Sequence, residues 1–304
     1  MSVLVLDEHD VRALLPMEEC IDAMEDVLRS LARGELYQPL RFVTRPSDAE
    51  SLMGFMPARR GGPGAIWSLK EIVIAPGNPA RGLDAHQGAV LLHDGETGEL
   101  RALLNASPIT EIRTAAVSAA ATRALARPDA RVVAILGAGV QARSHAEAMR
   151  TVVAGAEIRS WSRGDGGTPE DVLREADVVC TCTSAREPVL QRDWLAPGAH
   201  VNAVGASLPT TRELDTATME ASSLFVDRRE STVNESGDLL LAGLDEGHIR
   251  AELGEVLVGA HPGRTDAAEL TVFKSLGLAV EDLAAAELIV RKAREQGRGT
   301  EVDF

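Results

Sequence analysis

Apolar residues along this chain follow three different rhythms. Between residues 11 and 34, Val11, Leu14, Leu15, Ile21, Met24, Val27, Leu28 and Leu31 recur at helical spacing, and Gly34 follows as a stop. That pattern predicts one amphipathic helix. From Leu40 to Leu104 the texture changes to short apolar runs broken by Gly and Pro. RFVTR, LMGFMP, AIWSLKEIVIA, GAVLLHD and LRALLNA read as strands of a mostly antiparallel sheet, with Glu96-Thr97-Gly98 as a hairpin turn. Residues 108–126 are Ala-rich and open at Ser107-Pro108, which predicts a helix. The third rhythm alternates: strand ARVVAILG, helix 141–153, then strands EIRSWS, DVVCTCT, HVNAVGA and SLFVD. Nearly continuous apolar strands interleaved with helices imply a parallel sheet covered on both faces. A last helix spans 278–296, with Leu283, Ala286, Leu288, Ile289 and Val290 inward. The expected fold is α/β: a helix-plus-antiparallel-sheet part, then a doubly wound parallel sheet, with the terminal helix returning to the first part.

Composition narrows the function. The 304 residues are 45% hydrophobic and 25% charged but only 3% aromatic, so Ala, Val and Leu must fill the core. A net charge of −15 argues against binding nucleic acid, although a basic pocket for a small anion is compatible with it. No run approaches the ~18 apolar residues of a membrane span. MSVLVLDEHD lacks the basic opening of a signal peptide. Cys20, Cys180 and Cys182 are odd in number, and two lie in the strand-like VVCTCT, so buried free thiols in a reducing cytoplasm are expected. The histidines show no metal-ligand spacing.

The strongest local chemistry follows the strand Val132–Leu136. Gly137-Ala138-Gly139-Val140-Gln141-Ala142 is a G-x-G-x-x-A turn leading into a helix. Gly137 permits the tight turn, Gly139 lets backbone N–H groups approach a pyrophosphate, and Ala142 lets helix pack on strand. Such a motif alone is weak, but here strand, turn, helix and following strand are all in place. At the end of the next strand an acid would accept the ribose hydroxyls of NAD. The chain instead reads Ser160-Trp161-Ser162-Arg163, and Ser162 with Arg163 suits a 2′-phosphate, so NADP(H) is favoured over NAD(H). Only residues 164–176 separate Arg163 from the next strand, too few for a further βα unit, so the adenine side is abbreviated.

Several segments then match one family in order: QPLR (38–41), LK (69–70), EIRTAAVSA (111–119), ILGAGVQA (135–142), HVNAVGAS (200–207), REL (212–214), ESGD (235–238), AELGEV (251–256) and TVFKSLGLAVED (271–282). Together they resemble the ornithine cyclodeaminase/mu-crystallin family, which includes amino-acid dehydrogenases, ketimine reductases and cyclodeaminases. The resemblance implies a homodimer, with residues 1–114 and 277–304 as the substrate and dimerisation domain and 115–276 as an NAD(P)-binding Rossmann domain. It implies that Arg41 and Arg113 grip a substrate carboxylate and that Lys70 stands beside the reacting carbon and nitrogen. Arg113, Thr114, Val140 and Gln141 would meet the pyrophosphate, with Ser162 at the adenosine end. Thr183, Asn202, Ala203 and Val204 would line the nicotinamide side, and Ser275 and Leu276 would close the site.

The residue types suit those roles. Arg offers a planar fork to a carboxylate. A Lys between two Arg side chains has its ammonium disfavoured, which brings it toward useful proton donation. His86 and Gln87, beside a buried-looking strand, are placed to approach the nicotinamide, but His86 reads first as a satisfied core histidine. The chain departs from the cyclodeaminases at two acids. Ser207 stands where they carry Asp after NAVGG, and Gly54 stands where they carry an acid before the apolar-Met-Pro segment. Asp84, Asp227 or Glu235 are the alternatives for holding a distal ammonium. The expected activity is NAD(P)-dependent reduction of a small 2-imino acid, or the reverse. The rivals are redox-neutral ornithine or lysine cyclodeamination and a nucleotide-dependent binding protein of the mu-crystallin type.

Overall fold

The computed structural model describes residues 2–304. It resolves into two units, Met1–Arg113 with Leu278–Phe304, and Thr114–Gly277, the boundary falling inside the helix Ala106–Leu125.

In the first unit the strands alternate burial residue by residue, as a sheet with one covered face requires. Along Leu52–Arg60 the buried positions are Leu52, Gly54, Met56 and Ala58, and along Ile66–Ile74 they are Ser68, Lys70 and Ile72. The sheet has eight strands. From one edge the order is Thr300–Asp303, Ser2–Leu6, Leu100–Asn105, His86–Asp94, Ile66–Ile74, Leu52–Arg60 and Leu36–Tyr37, and Phe42–Thr44 also pairs with Leu52–Arg60. All pairings are antiparallel except Ser2–Leu6 with Leu100–Asn105. Register puts Lys70 between Met56 and Val90, an apolar row. The helix Ala279–Gln296 covers that face and buries Val280, Leu283, Ala286 and Ile289, each side chain contributing ~1.5–3 kcal/mol where large and fully buried.

Two readings of this unit change. The single helix expected over 11–34 is two, Glu8–Leu14 and Met17–Ala32. Pro16 has no N–H to continue the first helix, and it pushes Leu15 out of helical conformation (φ −118°, ψ 68°). The two terminal strands, Ser2–Leu6 and Thr300–Asp303, pair with each other although no local signal announced them. The hairpin at 95–98 is held by Asp94, whose Oδ1 accepts from the backbone N–H groups of Glu96 and Thr97.

The second unit is a Rossmann-type parallel sheet of seven strands. Its order is Ile249–Glu252, Ser223–Val226, Thr271–Lys274, His200–Ala203, Val178–Thr181, Val132–Leu136 and Glu157–Trp161. The four strands Val178–Thr181, His200–Ala203, Ser223–Val226 and Thr271–Lys274 are buried at every residue, as in a sheet covered on both faces. Thr271–Lys274, an interior strand of the sheet, belongs to the segment TVFKSLGLAVED and was not anticipated as a strand. Beyond Glu157–Trp161 the chain makes only the five-residue helix Pro169–Leu173 before rejoining the sheet, so the adenine side is short. The order reverses at Val132–Leu136, which has Glu157–Trp161 on one side and Val178–Thr181 on the other. Ligands of such sheets bind outside the carboxyl ends of the strands at this point.

Cys20, Cys180 and Cys182 are buried thiols with no disulfide, and burial pushes all three up, Cys180 to about 12. Among the described residues no helix is long and apolar enough to cross a membrane.

Candidate active site

In the first unit the inward side chain of Lys70 meets the opening turn of the helix Ala279–Gln296. Acidic residues are favoured there by the helix dipole, and Glu281 also accepts from the backbone N–H of Leu278. Both carboxylates are wholly buried, which surface capping residues are not. Lys70 Nζ lies 2.8 Å from Asp282 Oδ2. Arg113 donates from Nε to Asp282 Oδ1 at 3.0 Å and from Nη1 to Glu281 Oε2 at 2.9 Å. Only 2% of Lys70 is exposed. Burial brings its ammonium down to about 8, Arg113 and Arg41 push the same way, and Asp282 opposes them. The two arginines therefore reinforce a depression caused mainly by burial. A lysine poised near neutrality within a cluster of fixed charges has the chemistry that proton donation requires.

His86 corrects the reading of a core histidine. It is solvent-exposed at the start of its strand, where crowding and the positive charges of Lys70 and Arg113 hold its imidazole below the usual range. Nearby, Asp84 accepts from Ser107 Oγ at 2.7 Å. Arg41 is half-buried and acts on Lys70 through its charge. Glu281 and Asp282 were missed as site residues. They lie in the AVED of TVFKSLGLAVED, where an acidic pair at a helix start reads as a cap until its burial is known.

In the second unit the glycine motif has the required geometry. Gly137 has φ 128°, and a Cβ there would stand 2.5 Å from the carbonyl oxygen of Cys182. Gly139 caps the helix Val140–Val152 with no side chain over its N-terminus, and a Cβ at Gly139 would meet nothing within 4 Å. Val140 is exposed at that helix start, Gln141 is half-buried, and Thr114 is buried. An open helix N-terminus behind a close-packed first glycine fits a pyrophosphate. At the sheet's carboxyl edge Ser275 Oγ is buried with no hydrogen-bond partner among the described residues, a donor suited to a bound polar group. These residues fit a nicotinamide dinucleotide.

The other expected positions divide. Ser162 ends its strand, but both its N–H and its Oγ donate to Asp165 Oδ2 at 2.8 Å, so an acid does reach this turn, three residues late. Arg163 is exposed. Thr183 is half-buried beside Glu213. Ala203 is buried within its strand, while Val204 and the half-buried Ser207 follow it. Leu276 is buried, with its N–H on Asp227. The side chain of Asn202 is held in the core, where Nδ2 donates to Thr122 Oγ1 at 2.9 Å and Oδ1 meets His200, so only its backbone is left to line a ligand. Among the described residues the one grouping close enough for a metal ion is Asp7, His9 and Asp10, where Asp7 is the cap of a surface helix.

The model of the ornithine cyclodeaminase/mu-crystallin family matches residues 1–168 and 166–297. The chain belongs to that family. Ketimine reductase mu-crystallin of Mus musculus is 41% identical over 288 residues, covering 88% of this chain and 90% of the relative. Among solved structures of the family's kind, Thermococcus litoralis Delta(1)-pyrroline-2-carboxylate reductase, in complex with NADH and L-proline, superposes with a TM-score of 0.93 at 34% identity, covering 99% of this chain and 100% of that one. An archaeal alanine dehydrogenase dimer with bound NAD gives 0.94 at 29% identity, with both chains covered completely.

Proposed function

We propose that this member of the family is an NAD(P)-dependent oxidoreductase of small 2-imino acids, reducing a cyclic or open ketimine carboxylate to the amino acid and running the reverse oxidation. The observation that carries it is the buried Lys70 held by Asp282 beside Arg113. Arg41 and Arg113 grip the carboxylate, and Lys70 Nζ gives its proton to the imine nitrogen. When bound, the nicotinamide supplies the hydride that the α-carbon receives, so one proton and one hydride convert the C=N bond to an amine. Thr183, Val204, Ser275 and Leu276 exclude water on the nicotinamide side.

Cyclodeamination finds little support in Asp227 and Asp84, two of the three alternative acids. Asp227 is only 1% exposed and accepts from the backbone N–H groups of Arg228, Leu276 and Gly277. Asp84 already accepts from Ser107. Gly54 offers no charge, and Ser207 leaves room for an uncharged ring. A pure binding protein need not keep the whole set of Arg41, Lys70 and Arg113.

The favoured nucleotide is NADP(H), because exposed Arg163 next to Ser162 can receive a 2′-phosphate once Asp165 swings away. Asp165 as it stands favours NAD(H), since its carboxylate occupies Ser162. The working assembly is a homodimer through the outer face of the first unit's sheet. There Tyr37, Phe42 and Trp67 are 57%, 63% and 38% exposed and adjoin half-buried Phe55, Leu69 and Leu91.

The deciding experiment follows oxidation of NADPH and NADH with Delta(1)-pyrroline-2-carboxylate and Delta(1)-piperideine-2-carboxylate. Turnover that disappears in Lys70→Ala is expected. Proline or pipecolate made from ornithine or lysine without net nucleotide consumption would overturn the reading. Asp165→Asn is expected to raise the NADPH/NADH ratio of kcat/KM and Arg163→Ala to lower it, and light scattering should return twice the chain mass.

A further inference from the structure

At the carboxyl edge of the parallel sheet, one buried carboxylate gathers the loops after two strands. Glu213 is wholly buried. Its Oε1 accepts from Thr183 N–H at 2.7 Å and from Thr183 Oγ1 at 2.6 Å. Its Oε2 accepts from Thr181 Oγ1 at 2.7 Å and from Gly205 N–H at 2.6 Å. Gly205 is fitted to this contact, since a Cβ there would lie 2.0 Å from the Thr183 carbonyl oxygen and 2.6 Å from Glu213 Oε1. Glu213 is itself anchored. Its backbone N–H and that of Leu214 donate to Asp238 Oδ1, and Asp238 Oδ2 is 2.9 Å from Lys274 Nζ, both partners being wholly buried. Lys274 ends the strand that leads into Ser275 and Leu276. Loops after three neighbouring strands are thus locked to one another through the wholly buried side chains of Glu213, Asp238 and Lys274.

We propose that Glu213 is a positioning residue for hydride transfer: it fixes Thr183 and Gly205 so that the wall facing the nicotinamide ring is rigid, and it plays no part in holding the adenosine half of the nucleotide. This rests on the reading of Thr183 and Val204 as nicotinamide-lining. All four groups on the carboxylate donate to it, and the two backbone N–H groups can only donate. A glutamine therefore sets an N–H against an N–H at one corner, and the loops must move apart.

The test measures, for wild type and Glu213→Gln, the dissociation constants of NADPH and of 2′-phospho-ADP-ribose, which lacks the nicotinamide, together with kcat on the imine and the melting temperature. Glu213→Gln is expected to lower kcat 10- to 100-fold and to weaken NADPH several-fold, with the nicotinamide-free probe binding as before. Equal weakening of both probes, or kcat within twofold of wild type, overturns the proposal. If the glutamine variant does not fold, Thr183→Val removes one hydroxyl donor and keeps the backbone one. It should reproduce the same probe selectivity at smaller amplitude, and an unchanged NADPH-to-probe ratio overturns the proposal. Failure of the enzymatic reading would show separately, as wild-type protein that turns over no imine, and the ratio of the two dissociation constants would still test Glu213.

Discussion

Replacing Asp282 with asparagine tests the electrostatics of the site most directly. The carboxylate lies 2.8 Å from Lys70 Nζ and is the main influence holding the ammonium on a lysine that burial would otherwise discharge. At that separation and an effective dielectric of ~20, Coulomb's law gives ~6 kcal/mol for the pair. Relaxation of Arg113, which keeps Glu281 as a partner, and entry of water reduce the loss, and half of it is still ~2 pKa units. Lys70 would then move from about 8 to ~6. Reduction requires the ammonium, so kcat/KM in that direction is full below the lysine's pKa and falls as pH rises through it. In Asp282→Asn that fall should move down by ~2 pH units, with reduction at about pH 7.5 dropping ~20- to 30-fold. Oxidation of the amino acid requires neutral Lys70, so at the same pH it should hold or rise up to ~4-fold. Rate profiles from pH 5 to 10 in both directions, with melting temperatures as a folding control, supply the data. A limb that stays in place, or equal loss in both directions, would refute the reasoning and leave Asp282 a purely structural partner.

Three further outcomes follow. Gly137→Ala should lower both the melting temperature and nucleotide affinity, because its Cβ would press on the Cys182 carbonyl at 2.5 Å and φ 128° strains any L side chain. Gly139→Ala should leave the melting temperature unchanged, since nothing lies within 4 Å of the new Cβ, yet weaken nucleotide binding at least ~10-fold by blocking the pyrophosphate's approach. His145 and His200 are buried neutral, with pKa values lowered by burial to about 4 and about 3, so the folded state binds fewer protons than the unfolded chain below pH 6.5. Their contribution is complete above that pH and falls as it drops, each losing ~2 kcal/mol by pH 5, and denaturant melts of His145→Asn and His200→Asn should show a shallower acid slope.

The parallel sheet and the glycine turn were legible because period and composition are local properties: apolar runs of four or five residues separated by helices can bury both faces only one way. Pro16 was legible too, but hydrophobic spacing on either side of it masked the break. The terminal strands were not, because Ser2–Leu6 and Thr300–Asp303 specify each other across the whole chain. Lys70 and Arg113 were found by motif and are brought together. Glu281 and Asp282 were not found, because what distinguishes them from ordinary capping acids is burial, and burial belongs to the tertiary structure. That the Asn202 side chain is engaged in the core was not legible, because a strand's sequence does not say which of its two faces meets a ligand. Glu213 lay in plain view within the short segment REL, where nothing local reveals four donors converging on one carboxylate.

The charge count around Lys70 adds a consequence for catalysis. Lys70 and Arg113 are paired with Glu281 and Asp282, and Arg41 acts on Lys70 through its charge, so the five groups carry one excess positive charge when all are ionised. Part of the depression of Lys70 comes from that excess. A substrate carboxylate gripped by Arg41 and Arg113 cancels it, and the lysine then recovers affinity for its proton. The acid is thus charged most completely when an imine is present to receive the proton. Since kcat/KM reports the free enzyme and kcat the complex, the basic limb of kcat for reduction should lie above that of kcat/KM by ~1 pH unit. A dicarboxylate would overcompensate and leave an unpaired anion, which favours monocarboxylate imines. Coincident limbs for the two constants would mean that the carboxylate binds too far from Lys70 to influence it, and Arg41 and Arg113 would then lose their assigned role.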